Sequence, residues 1–161
     1  MKTSSLLRRA LAAAVATSLA GVLHLAAQTP RSPAERQIRP WLDSLLVAAN
    51  AHDSDRFLRC YLHDSTLVMV FNGAVTTGYD QVRALQLKWW NNGKSDVRYS
   101  RPGPTTFRVL SANAVVVTDV MASRRTAPDG TAASGTFALT MVWQKLPQGW
   151  RIVSVHESTA R

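Results

Sequence analysis

Acidic side chains are scarce in the second half of this chain: after Asp96 there are only three, Asp119, Asp129 and Glu157. Asp129 belongs to a Pro128-Asp129-Gly130 turn, whereas Asp119 stands between Val117 and Met121 on an alternating segment, and Glu157 follows Val153 and Val155 on another. A carboxyl held among apolar neighbours has its charged form disfavoured, which raises its pKa toward the range where it exchanges a proton at neutral pH. Asp119 and Glu157 are therefore candidate acid/base residues. His156 is the runner-up, because imidazole titrates near neutrality. Its parity, however, groups it with Trp150, Ile152, Ser154 and Ser158, on the face opposite Glu157, and only a one-residue bulge would exchange the two sets. His52 and His63 fall near helix ends, where solvated capping is expected.

Cys60 is the only cysteine, so no intramolecular disulfide and no cysteine-based metal site can form. With no base near it in sequence, it reads as a small buried hydrophobe. No close pair of ligating residues suggests a metal, and nothing calls for a cofactor.

These residues must be positioned by helices that come first and strands that come after. From Ala34 to Ala51, Ile38, Leu42, Leu45, Leu46 and Ala49 mark one face of a helix. Asp53-Ser54-Asp55 supplies cap residues for a short second helix carrying Phe57, Leu58, Tyr61 and Leu62. Thr66 to Phe71, the turn signal Asn72-Gly73, and Ala74 to Thr77 read as a hairpin. A third helix runs from Gly78 to about Trp90, with Val82, Leu85 and Trp89 on one stripe; Trp90, off that stripe, is expected at a rim or a partner surface.

Beyond Asn91-Asn92-Gly93 the pattern is that of strands. Val97 to Leu110 is interrupted by Pro102-Gly103-Pro104, which predicts a bend or bulge. Ala114 to Ser123, Thr136 to Leu146 and Trp150 to Thr159 follow, the last two joined by Pro147-Gln148-Gly149. In Thr136 to Lys145 the odd positions Phe137, Leu139, Met141 and Trp143 carry the large apolar side chains and are assigned to the interior. Val115, Val117, Asp119 and Met121 are assigned with them, as are Val153, Val155 and Glu157. The fold class predicted is α+β: three N-terminal helices on one face of a mixed, mostly antiparallel sheet of about six strands.

Lys2, Arg8 and Arg9, an apolar run from Ala10 to Leu25 and the small residues Ala26 and Ala27 have the layout of a signal peptide, cleaved after Ala27 or Ala20. The expectation is an exported protein, periplasmic or secreted, with a flexible leader over residues 28–33, one domain over residues 34–161 and no membrane span in the mature chain. Without residues 1–27, sixteen basic residues face ten acidic ones, and thirteen of the sixteen are arginines dispersed along the chain. A nucleic-acid binder would gather them on one element with aromatics between, so no nucleic-acid partner is expected.

The order helix, helix, hairpin, helix and then long strands, ending in Gly149-Trp150-Arg151-Ile152-Val153 with His156 and Ser158, resembles the nuclear transport factor 2-like superfamily over Ala34 to Ser158. That superfamily includes ketosteroid isomerase, the SnoaL-like cyclases and the association domain of calcium/calmodulin-dependent kinase. The resemblance implies a cystatin-like cone, in which a curved sheet wraps the helices around a small-molecule pocket, and a homodimer through the outer sheet face, here Trp150, Ile152 and His156. It also implies where the isomerase's polar groups would fall: its general base on Met69, its oxyanion-holding acid on Met141 and its helix-one tyrosine on Leu45. All three are apolar here, which makes ketosteroid isomerisation unlikely on chemical grounds. An arginine of the kinase domain's pocket falls on Asp119, with its charge reversed. The pocket lining implied is Leu45, Tyr61, Met69, Phe71, Trp89, Val117, Met141 and Val155. It suits a small, largely apolar molecule, neutral or cationic. If the protein turns a substrate over, Asp119 would serve a cofactor-independent isomerisation, dehydration or cyclisation, with Tyr61 or Glu157 orienting it. The alternative is a non-catalytic dimerisation or interaction module of the cell envelope.

Overall fold

The computed structural model describes residues 31–126 and 129–159. The expected signal peptide and the first half of the expected leader, residues 28–30, lie outside them. Helix α1 spans Pro33–Ala51 and α2 spans Ser54–Leu58; the Ser32 side chain caps α1 by accepting from the Glu35 N–H at 3.1 Å. Pro33 takes the first helical position, where its missing N–H costs nothing. Strands β1 (Val68–Phe71) and β2 (Ala74–Thr77) follow, then α3 (Tyr79–Trp89), β3 (Arg98–Ser100), β4 (Thr106–Ser111), β5 (Ala114–Thr126), β6 (Ala132–Leu146) and β7 (Gly149–Thr159). The α+β expectation holds, with seven strands in place of about six.

The strands form one open sheet in the order β2-β1-β7-β6-β5-β3, with β4 also paired to β5. Only β1 and β7 run parallel; the other strand pairs are antiparallel. Asn72 and Gly73 turn the β1–β2 hairpin with φ of 47° and 88°, the left-handed pair that a two-residue loop requires.

The additional strand comes from the proline break. Both β3 and β4 lie along the same side of β5, β3 opposite Ala122 to Arg124 and β4 opposite Ala114 to Thr118. Pro102-Gly103-Pro104 falls in the gap, so β5 has no edge partner from Asp119 to Met121. Proline has no N–H to donate to a ladder, and this edge can tolerate it.

The core joins α1 to the inner sheet face through Ile38, Leu42 and Leu45 on the helix and Val115, Val117, Met141, Trp143, Ile152 and Val155 on the strands. Here β7 departs from simple alternation. Val142 pairs with Ser154 but Trp143 pairs with Ile152, leaving Val153 as the extra residue of a bulge. Before the bulge the even residues face the helices, and after it the odd ones do. Trp150 and Ile152 are consequently buried, 4 % and 0 % exposed, and the Trp150 indole donates to Gln37 Oε1 of α1 at 2.8 Å. This corrects the placement of both residues on the outer face. His156 lies beyond the bulge and remains exposed, opposite Thr140 and Val70.

Candidate functional site

Two acids share one row of the inner face. Across the sheet the register runs Phe71 (β1), Glu157 (β7), Leu139 (β6), Asp119 (β5), so Leu139 separates the two carboxyl-bearing residues. The alternation of the sequence thus placed both on the correct side. Their surroundings differ sharply.

Asp119 is 2 % exposed and its Oδ2 accepts from Arg101 Nε at 2.5 Å. Arg101 is the last residue before the proline break, and the bend lets its guanidinium reach inward where β5 lacks an edge partner. The same guanidinium donates to the Leu42 carbonyl of α1 at 3.3 Å and approaches Asp43 at 3.4 Å. Asp119 is therefore half of a clasp between sheet and helix; its Oδ1 has no partner among the described residues, and Asp119 is not in the wall of the aromatic cavity described next. The acid/base position expected for it is not where the cavity is.

The cavity lies on the other side of Leu139. It has a volume of about 410 Å³ and six aromatic rings on its wall: Phe57 of α2, Phe71 of β1, Trp89 of α3, the α3 cap residue Trp90, Tyr99 of β3 and Phe137 of β6. Phe71 packs against Trp89 with ring centroids 4.8 Å apart, and Phe57 meets Trp90 edge-on at 5.1 Å. The Trp90 indole donates to the Tyr99 hydroxyl at 3.0 Å, which fixes both side chains. Buried Gln86 offers an amide to the wall, and exposed Arg125, Ser134 and Thr159 mark the mouth.

Glu157 is the acid of this cavity. It is half-buried, it takes part in none of the ion pairs among the described residues, and burial alone pushes its carboxyl up to about 7. Burial also raises Tyr99, with the Trp90 hydrogen bond acting in the opposite direction. The site thus combines an apolar, aromatic body with a carboxyl able to hold or release a proton near neutrality.

Of the lining expected from sequence, Phe71 and Trp89 are present in the wall, and Glu157 joins them. Leu45, Tyr61, Met69, Val117, Met141 and Val155 are buried instead in the packed core. Their part of the cone is filled by α1 and by Trp143, Trp150 and Ile152, so no space is left there. Tyr61 is 3 % exposed, burial raises its phenol well above its ordinary value, and its backbone bridges to Ile152.

Sequence reasoning missed Trp90, Tyr99, Phe57 and Phe137 as wall residues. Trp90 is the residue at which α3 ends, with φ −97° and ψ 15°, so the helical stripe that excluded it no longer applies. It is 3 % exposed, not at a rim. Phe137 was assigned inward, which was the available signal. Tyr99 had none, lying on a three-residue strand. His52 is also corrected: it is buried as the cap of α1, with Nε2 2.8 Å from the Val97 carbonyl, whereas His63 is exposed and stacks on Tyr79. Cys60 is buried, and burial pushes its thiol up to about 12, which leaves it without nucleophilic character near neutral pH.

Comparison with known proteins bears on the family and the fold. Residues 38–161 match the family model of the SnoaL-like domain. A nuclear transport factor 2-like superfamily protein from Salmonella enterica serovar Typhimurium is 22 % identical, with 78 % of this chain and 90 % of that one covered and a TM-score of 0.67. A ketosteroid isomerase-like protein from Erwinia carotovora gives 17 %, 78 %, 95 % and 0.63. The association domain of the Caenorhabditis elegans kinase CaMKII gives 20 %, 77 %, 94 % and 0.63. At these identities the likeness is one of fold. No match is found among curated proteins. A family match that spans nearly all of the N-terminal helical layer and the mostly antiparallel open sheet makes this chain a member of the SnoaL-like domain family, with the fold of the nuclear transport factor 2-like proteins.

Proposed function

We propose that the protein binds a small, largely apolar molecule in the aromatic cavity and that Glu157 exchanges a proton with it, in a cofactor-independent isomerisation, dehydration or cyclisation. The observation that carries this reading is a carboxyl raised to about 7 in the wall of an aromatic cavity of about 410 Å³. That volume is in the range of small-molecule sites, and a base of that strength is matched to neutral pH. Glu157 takes the role in preference to Asp119 because Asp119 is already bound by Arg101. The fold likeness to a protein named ketosteroid isomerase-like is compatible with this chemistry, although Leu45, Met69 and Met141 leave that enzyme's own polar positions empty.

The test is proton exchange itself. A panel of small cyclic ketones in deuterated buffer should show protein-dependent exchange of the protons beside the carbonyl, followed by NMR, and Glu157→Gln should abolish it while Asp119→Asn does not. Exchange that survives Glu157→Gln would remove the residue from the chemistry.

We further propose that the protein is exported and that it forms a homodimer. Export rests on the layout of residues 1–27; in a Gram-negative host the protein should be recovered from the periplasm with Gln28 or Gly21 at its N-terminus, and retention in the cytoplasm would refute export, as an intact Met1 would refute cleavage. A homodimer through the outer sheet face rests on the uncharged middle of that face, where exposed Thr118, Val120, Thr140 and Ser158 surround Ala138 and His156, with Arg108 and Arg124 beyond them. Trp150 and Ile152 are not part of that surface.

A further inference from the structure

Among the described residues the Glu157 carboxyl has no counter-ion within ion-pair distance. Its cross-sheet neighbours are Phe71 and Leu139, both apolar, and α3 presents Trp89 and Gln86 to the same cavity. Among the described residues, the titratable groups that feel its charge or share its cavity are Tyr99 of β3, Tyr61 after α2, and Arg125 of β5 at the mouth. Neither tyrosine supplies positive charge. Arg125 is exposed, where solvent screens it, and burial is the only cause of the Glu157 shift. A purely neutral ligand would leave the carboxyl as costly in the complex as in the free protein, since a buried charge without a partner is unfavourable. Six aromatic rings around the same space change the balance, because ring faces attract a cation, and most strongly where water is excluded.

We infer that the ligand of this cavity carries a tertiary or quaternary ammonium group on its apolar body, with Glu157 as counter-ion and the rings of Phe71, Trp89 and Trp90 among those that enclose the cation. The inference rests on the reading of the cavity as a ligand site and adds the ligand's charge.

Phenyltrimethylammonium and tert-butylbenzene have nearly the same shape and differ by one charge, which makes them the probes of choice. Their binding to the full chain can be followed by calorimetry and by the fluorescence of Trp89 and Trp90. At pH 8.5 the cation should bind at least tenfold more tightly than the hydrocarbon. Because neither probe titrates, that preference should shrink severalfold at pH 5.5, where Glu157 is protonated. Glu157→Gln should remove the preference at both pH values, and tert-butylbenzene binding that persists in the variant shows that it retains its cavity. Equal binding of the two probes by the wild-type chain would overturn the charge inference and leave the cavity reading standing. Binding of neither would overturn both. Tighter binding of 4-tert-butylbenzoate than of the cation would mean that Arg125 sets the ligand's charge, and would overturn the inference as well.

Discussion

At the scale of single residues, the two interior acids illustrate how environment divides like groups. Glu157 is raised from 4.5 to about 7, so folding favours its protonated form. The stability it permits is fully present below pH 4.5 and is lost as pH rises through 7. Each pKa unit corresponds to about 1.4 kcal/mol, which makes the loss on the order of 3 kcal/mol. Urea unfolding at a series of pH values should show this decline for the wild-type chain and a much flatter profile for Glu157→Gln, which should be the more stable protein at pH 8. Asp119 behaves differently because Arg101 compensates it. Replacing Arg101 with Leu leaves a nearly sealed carboxylate unpaired and should cost about 3–5 kcal/mol. Asp119→Asn should cost less, since the released Arg101 can still reach Asp43 and solvent. Neither change should alter ligand affinity at the cavity by more than about twofold, as calorimetry would show.

Among the elements, β7 is the one whose internal geometry decides the most. A single extra residue at Val153 turns Trp150 and Ile152 toward α1 and leaves Glu157 inward and His156 outward. Trp150→Ala should therefore behave as a core truncation, lowering stability by roughly 3–5 kcal/mol in chemical denaturation. A surface tryptophan would cost far less on removal. The proline break between β3 and β4 has a comparable effect at the far edge: it interrupts the ladder opposite Asp119 and frees Arg101 to close the gap. Alternation and turn residues made these strands legible in advance. The bulge was not, because its position is set by the hydrogen-bonding partners on β6 and not by the local pattern of β7. Trp90 was misread for a related reason, as helical spacing ceases to apply at the cap.

On the scale of the whole molecule, the two faces of the sheet differ in what covers them. The inner one is divided along its length into a packed core beneath α1 and an aromatic cavity beneath α3. The outer one carries small, mostly uncharged residues, and a dimer formed there is testable: sedimentation should give a dimer for the wild-type chain and a monomer for Thr140→Glu, with Trp150→Ala leaving the association unchanged. If Thr140→Glu sediments like the wild type, the outer face is not the interface. The sequence by itself determined the order of helices and strands, the hairpin turns, the family resemblance and the inward direction of Asp119 and Glu157, because each depends on local spacing. Only the tertiary structure decided which of the two acids faces the cavity, which inward residues are wall and which are core, and where the face of β7 reverses. Those outcomes depend on how far along the cone each row lies and on what packs against it, which is a property of strand register and helix placement and leaves no trace in periodicity.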